Sequence, residues 1–331
     1  MMNKRTSIIV LAASLLLVSC SAPTPAPEVV ELTPVRLAMG YRPDIQFAPL
    51  YAAEALGYFE EAGFDVTFEH MPETEAAQLV GAGEIPFAIV SGEQVLLARE
   101  QGIPIVDVMT WWQDYPVAIV SRMESGIQQP EDLVGKQVGL PGLYGASYIG
   151  FEAIVRSAGI DSNDVQLDSI GYNQVEALFQ GQEDAVVVYA NNEPFQLEAL
   201  GIDVEVMRVS DYVHLMGNGL IVSEEMVASN PMAVQHMVEA FQRGIRAVLD
   251  DPDQAYEIST QFVEGLAEAD EDVQRRILEE SLTFWEADPI GYSDPQAWYN
   301  MQEVLLDIGY LQASLDLSQA FTNLFVGSSI R

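Results

Sequence analysis

Cysteine occurs once in these 331 residues, at Cys20, so the chain can form no internal disulfide and offers no paired thiolates to a metal. Cations are scarce as well. Fourteen Lys and Arg stand against fifty Asp and Glu, a formal charge of −36, and nucleic acid is thereby excluded as a partner because phosphate binding rests on clustered basic residues. Of the three histidines, His70 and His214 have no Asp, Glu or Cys at a spacing that points to a metal site, and His236, in an amphipathic helical stretch, reads as a surface or core residue and not as a ligand. A nucleophile elbow is missing, and no Lys-Ser or Lys-Thr follows the glycine-rich turn at 142–147, so that turn is not a P-loop. The expectation is a protein with no catalytic residues, no cofactor and no metal.

What is present begins with a leader. Lys4 and Arg5 precede an apolar run over 8–17 that is too short for a spanning helix, and Leu17-Val18-Ser19-Cys20 follows. This order predicts a lipoprotein signal peptide over 1–19 and lipid attachment at Cys20. Residues 20–34, rich in Pro and Ala, read as an extended tether. The mature chain would be exported and held through Cys20 at the cell membrane or facing the periplasm, with its charge moved from −36 to −38 by loss of Lys4 and Arg5.

The rest of the chain suits two domains of roughly 150 residues each. Strands are predicted at 36–39, 64–68, 87–90 and 105–110, separated by helices over 47–58, 73–80 and 93–101. A second unit starts near Pro116, with strands at 117–121, 137–140, 168–171 and 185–189 and helices at 147–157 and 174–180. The chain then returns in a strand at 219–222. Beyond Asn230 it reads as almost wholly helical, with caps at Asn230-Pro231, Asp251-Pro252 and Asp294-Pro295. Such β-α alternation predicts mostly parallel sheets flanked by helices.

Three stretches in this order, "APLYAAEALGYFEEAGFDV", "GAGEIPFAIVSGEQVLLAREQGIPI" and "PEDLVGKQVGLPGLYGASYIGFEAIV", resemble the solute-binding proteins of ABC importers. The likeness is to the group that binds thiamine pyrimidine precursors, riboflavin, alkanesulfonates and nitrate. The resemblance implies an α/β, two-lobed periplasmic-binding-protein fold of type II, each lobe a mostly parallel sheet, with a two-crossover hinge. Lobe one would comprise 35–116 plus 219–331 and lobe two 117–218, with the ligand between them. It also implies ABC permease subunits as membrane partners and a monomer in solution.

Ligands of open α/β sheets lie beyond the carboxyl ends of the strands. Five aromatic residues occupy 40–59, and at least three are expected in the core; Tyr41, in the polar loop Tyr41-Arg42-Pro43-Asp44, and Phe47 are the candidates for the pocket. Ser91 and Glu93 follow a buried strand, where Ser91 could equally be a helix N-cap. Tyr144 and Ser147 belong to the glycine-rich turn. Tyr189, Asn191, Asn192 and Glu193 end an apolar strand and carry paired donors and acceptors suited to a nitrogen heterocycle, although Asn and Glu are also ordinary turn and cap residues. Trp111, Trp112 and Tyr115 form the densest aromatic cluster, and alternation along a strand would send one Trp to the core and the other to the cleft.

These residues favour a flat, neutral, aromatic ligand of the vitamin class. Riboflavin is the first expectation and a thiamine pyrimidine precursor the second. An alkanesulfonate or nitrate ligand is the alternative that Arg42 would favour. A thiamine-pyrimidine biosynthetic enzyme is the alternative from another class, set aside because enzymes of that group carry a cysteine-rich stretch and a reactive histidine.

Overall fold

The computed structural model describes residues 31–327; the leader, Cys20 and most of the tether lie outside them. Ten strands are present: β1 (Thr33–Met39), β2 (Phe64–His70), β3 (Phe87–Ser91), β4 (Ile105–Thr110), β5 (Val117–Arg122), β6 (Gln137–Leu140), β7 (Gln166–Ser169), β8 (Ala185–Tyr189), β9 (Val204–Arg208) and β10 (Asn218–Ser223). They form two sheets of the same design. The first has the order β2-β1-β3-β10-β4 and the second β7-β6-β8-β5-β9. In each, three consecutive strands are parallel and the fourth position runs antiparallel to both its neighbours.

Burial explains why these strands form. Every residue of β3, β4 and β10 is buried, because helices cover both faces of a parallel sheet and leave no solvated side. The chain leaves the first sheet after Thr110, builds the second, and re-enters the first at Asn218, so two segments, 111–116 and 209–217, connect the two sheets. The C-terminal helices return to the first sheet, and Phe321 forms a parallel bridge with Asp107 at the edge of β4. The expected caps are present: Asn230, Asp251 and Asp294 accept hydrogen bonds from the backbone N–H of Ala233, Gln254 and Gln296.

Three details differ from the sequence reading. The helix expected from Phe47 to Tyr58 is split into a 3-10 turn (Ile45–Phe47) and helices Ala48–Ala55 and Tyr58–Glu61, because Gly57 turns left-handed between them at φ 75°. Strand β7 ends at Ser169, two residues before the expected end, since Gly171 turns the chain at φ 61°. Strand β9 was not foreseen. It is an edge strand with four of its five residues only half-buried, so its sequence lacks a continuous apolar run.

Candidate ligand-binding site

The carboxyl ends of β1, β3, β4 and β8 and the start of antiparallel β10 converge on one narrow cavity. Its walls are Gly40, Tyr41, Gln46 and Phe47 after β1, Glu73 from the start of helix Glu73–Gly81, Ile89 of β3, Trp111 and Trp112 after β4, Tyr189 of β8 and Asn218 of β10. First-sheet and second-sheet residues therefore face each other across it. Gly40 is required by this geometry: a Cβ there would lie 2.7 Å from both Cγ and Oε1 of Glu73. Tyr41 is the one non-glycine residue with positive φ, 63°, among the described residues. Its ring meets the edge of Tyr172, from the loop after β7, at a centroid distance of 5.0 Å.

Trp111 and Trp112 both line the cavity, and both are buried. The alternation that would have parted them does not operate, because β4 stops at Thr110 and both backbone N–H groups donate to one carbonyl, that of Asn218, at 2.8 and 2.9 Å. Trp111 packs against Phe47 and Trp285 at 5.7 Å each, and Trp112 meets Tyr189 at 6.1 Å. Three buried polar atoms on these walls make no hydrogen bond within the protein: Gln46 Oε1, Asn218 Oδ1 and Trp111 Nε1. Two acceptors and one donor are thus left unpaired in residues of a mostly aromatic wall, and such atoms are costly to leave unpaired.

Behind the wall lies a carboxyl pair. Glu73 Oε2 accepts from the backbone N–H of Ser91 at 3.0 Å and contacts the Ser91 hydroxyl, which is also 2.6 Å from Glu93 Oε1. Burial, then the neighbouring charge of Glu93, pushes the Glu73 carboxyl up to about 7, and burial raises Glu93 as well. Ser91 precedes helix Gly92–Glu100, but its side chain makes no capping hydrogen bond, being committed to the two carboxyls. Tyr115 is buried and its hydroxyl stands 3.1 Å from Glu93 Oε2.

The remaining candidates hold the second sheet's loop together or lie apart from the cavity. Glu193 Oε2 accepts from the backbone N–H of Tyr189 at 3.0 Å, and burial raises its carboxyl to about 7. Asn192 Oδ1 accepts from Gln196 at 2.7 Å, and Asn191 donates to the Ser281 hydroxyl at 2.8 Å. Tyr144 is 75 % exposed, and Ser147 is half-buried; neither is among the lining residues. Gly142 serves Tyr144 itself, since a Cβ at 142 would stand 2.5 Å from that ring. Of the five aromatic residues in 40–59, Phe47, Tyr51 and Phe59 are buried.

Gly40, Gln46, Glu73, Ile89 and Asn218 were not singled out from sequence. Asn218 carried a signal, standing between Gly217 and Gly219 at the chain's return to the first sheet; Glu73 carried none among fifty acidic residues. His70 Nδ1 lies 3.2 Å from the Tyr41 carbonyl, and burial holds its imidazole below its ordinary value. His214 sits between Asp114 and Asp294 at 3.2 Å each, and the hydrogen bond with Asp114 raises it. His236 is exposed. Among the described residues no group of three or more His, Cys, Asp or Glu is placed to hold a metal ion.

The family described as NMT1/THI5 like matches residues 44–255. The chain is 37 % identical to the riboflavin-binding protein RibY of Chloroflexus aurantiacus, over 98 % of this chain and 99 % of that one. It is 28 % identical to a formylaminopyrimidine-binding protein of Halalkalibacterium halodurans (96 % and 98 % covered). It is 23 % identical to a 4-amino-5-hydroxymethyl-2-methylpyrimidine phosphate synthase of Legionella pneumophila (88 % and 92 % covered). In fold it is similar to the alkanesulfonate-binding protein SsuA of Xanthomonas axonopodis, with a TM-score of 0.69 at 13 % identity over 88 % of this chain and 99 % of that one. Two sheets joined by two crossovers, a cavity at their facing strand ends, and a family match over more than half of its length show that this chain belongs to the NMT1/THI5 like family.

Proposed function

We propose that this protein is the solute-binding component of an ABC importer and that it captures a flat, neutral heterocycle of the vitamin class, riboflavin ahead of a thiamine pyrimidine precursor, between its two lobes. The observation that carries the reading is the cavity wall: Tyr41, Phe47, Trp111, Trp112 and Tyr189 supply ring faces, and the unpaired Gln46, Asn218 and Trp111 atoms supply an edge of two acceptors and one donor. An isoalloxazine or aminopyrimidine presents both a π-face and a hydrogen-bonding edge. The likeness to a riboflavin-binding and a formylaminopyrimidine-binding protein supports the same class.

No Lys or Arg is among the residues lining the cavity, and Arg42 instead lies over the Tyr41 ring at 5.2 Å. A sulfonate or nitrate would have no cation to pair with at the wall, so affinity for riboflavin should stay nearly constant as ionic strength rises through the range where charge pairs are screened. Riboflavin fluorescence should be lost on binding, and calorimetry should give the same dissociation constant at low and high salt. Tight, salt-sensitive binding of a sulfonate with no response to riboflavin would overturn the reading. The protein acts without catalysis in this account, delivering its ligand unchanged to the permease.

Attachment through Cys20 belongs to the same proposal, motivated by Lys4, Arg5 and the Leu17-Val18-Ser19-Cys20 sequence. Cys20→Ser should move the protein from the membrane fraction to the soluble fraction; unchanged sedimentation with membranes would count against lipid anchoring.

A further inference from the structure

A chain of hydrogen bonds behind the cavity is short of hydroxyl hydrogens. The Ser91 hydroxyl contacts Glu73 Oε2 and Glu93 Oε1, and the Tyr115 hydroxyl is 3.1 Å from both Glu93 Oε2 and the carbonyl of Ala146. These are four contacts, each needing one hydrogen. Two hydroxyls supply two, and a carbonyl donates none. With both carboxyls ionised, two of the contacts would set oxygen lone pairs against each other in a buried site.

One arrangement satisfies all four. A proton on Glu73 Oε2 is donated to Ser91, Ser91 donates to Glu93 Oε1, a proton on Glu93 Oε2 is donated to Tyr115, and Tyr115 donates to the Ala146 carbonyl. The other donors still find lone pairs on neutral carboxyls: the Ser91 N–H on Glu73 Oε2 at 3.0 Å, Asn218 Nδ2 on Glu73 Oε1 at 3.3 Å and Gln94 Nε2 on Glu93 Oε1 at 3.4 Å. The titratable groups facing the pair are Tyr115 from the first crossover, Tyr189 from β8 and Tyr172 from the loop after β7. No Arg, Lys or His among the described residues pairs with either carboxyl. Glu73 lines the cavity, whereas Ala146 opens helix Gly145–Ser157, packed on the second sheet, so the chain of hydrogen bonds runs from the ligand wall to the opposite lobe.

We propose that ligand capture is proton-linked: the site stores two protons, on Glu73 and Glu93, and holds its ligand between closed lobes only while this chain is complete. The inference rests on the solute-binding reading above. Ionisation would place charge beside a neutral ligand and remove a donor from the path that ends at Ala146. Because burial raises Glu73 to about 7, the protonated form prevails below that pH and is lost as pH rises through it. A ligand that shields Glu73 further raises it again, so affinity is full on the acid side and falls on the alkaline side.

Infrared spectra of the ligand-free mature protein test the store directly. A protonated-carboxyl stretch should be present at about pH 6, weaken as pH rises through about 7, and be reduced in Glu73→Gln. Riboflavin titrations over the same range should show affinity falling by about tenfold or more, a fall that Glu73→Gln abolishes. Tyr115→Phe, which keeps the ring and removes one link, should move the midpoint. Absence at pH 6 of a band that Glu73→Gln reduces, or a riboflavin affinity that is flat with pH, would overturn the proposal, since the buried Glu193 and Asp107 carboxyls contribute to the same region of the spectrum. Failure of riboflavin to bind at any pH would sink that ligand assignment, and the part of the infrared band lost in Glu73→Gln would still decide whether the proton is stored there.

Discussion

Trp111→Ala is expected to destabilise the protein by about 3–5 kcal/mol and to abolish riboflavin binding. The indole is 1 % exposed, and its ring is surrounded by Phe47, Trp112, Phe241 and Trp285 at centroid distances of 5.5 to 5.7 Å. Truncation to a methyl group leaves a cavity between helix Pro231–Asp250, which carries Phe241, and helix Glu271–Trp285, and neither helix can collapse into it without dragging the first sheet. The binding loss has a separate cause. Trp111 supplies both a ring face and the unpaired Nε1 donor at the cavity wall. Trp111→Phe separates the two, restoring much of the volume but not the N–H, so it should recover most of the stability and only part of the affinity. Urea unfolding followed by circular dichroism reads the first effect and calorimetry the second. A Trp111→Ala protein within about 1 kcal/mol of the parent would contradict the packing argument.

The Trp pair also marks the boundary of what the sequence discloses. Strands β3, β5 and β8 were legible because strands buried on both faces are written as unbroken apolar runs, such as Phe-Ala-Ile-Val at 87–90, and β4 because only Asp107 interrupts its run. Strand β9, Val204-Glu205-Val206-Met207-Arg208, has one solvated edge and no such run. The aromatic residues of the site could be placed because they stand where those runs end. The orientation of Trp111 and Trp112 could not, since it depends on a carbonyl more than a hundred residues later in the chain. Glu73 was hidden for a different reason. In a chain with fifty carboxylates, what distinguishes this one is Gly40 beneath it and Ser91 and Glu93 beside it, all contacts between segments remote in sequence.

Tyr41→Ala is expected to weaken riboflavin binding by about ten- to a hundredfold while leaving the circular dichroism spectrum unchanged. Stacking a flat ring on an aromatic side chain contributes roughly 1–3 kcal/mol, and each 1.4 kcal/mol is about tenfold in affinity. The ring is only half-buried, so its loss opens no sealed core cavity, and its contact with Tyr172 joins the loop after β1 of the first sheet to the loop after β7 of the second. The backbone gives the experiment an internal control. At φ 63° a residue with a Cβ is strained by about 1–3 kcal/mol, which a glycine would not bear. Tyr41→Gly removes the same ring as Tyr41→Ala but relieves that strain, so the glycine variant should be the more stable of the two and bind no better. If the two variants lose affinity alike while differing in stability, the ring is what holds the ligand. If Tyr41→Gly instead binds within about a factor of two of the parent, the tyrosine's contribution is to the loop's shape and the stacking account of the site fails.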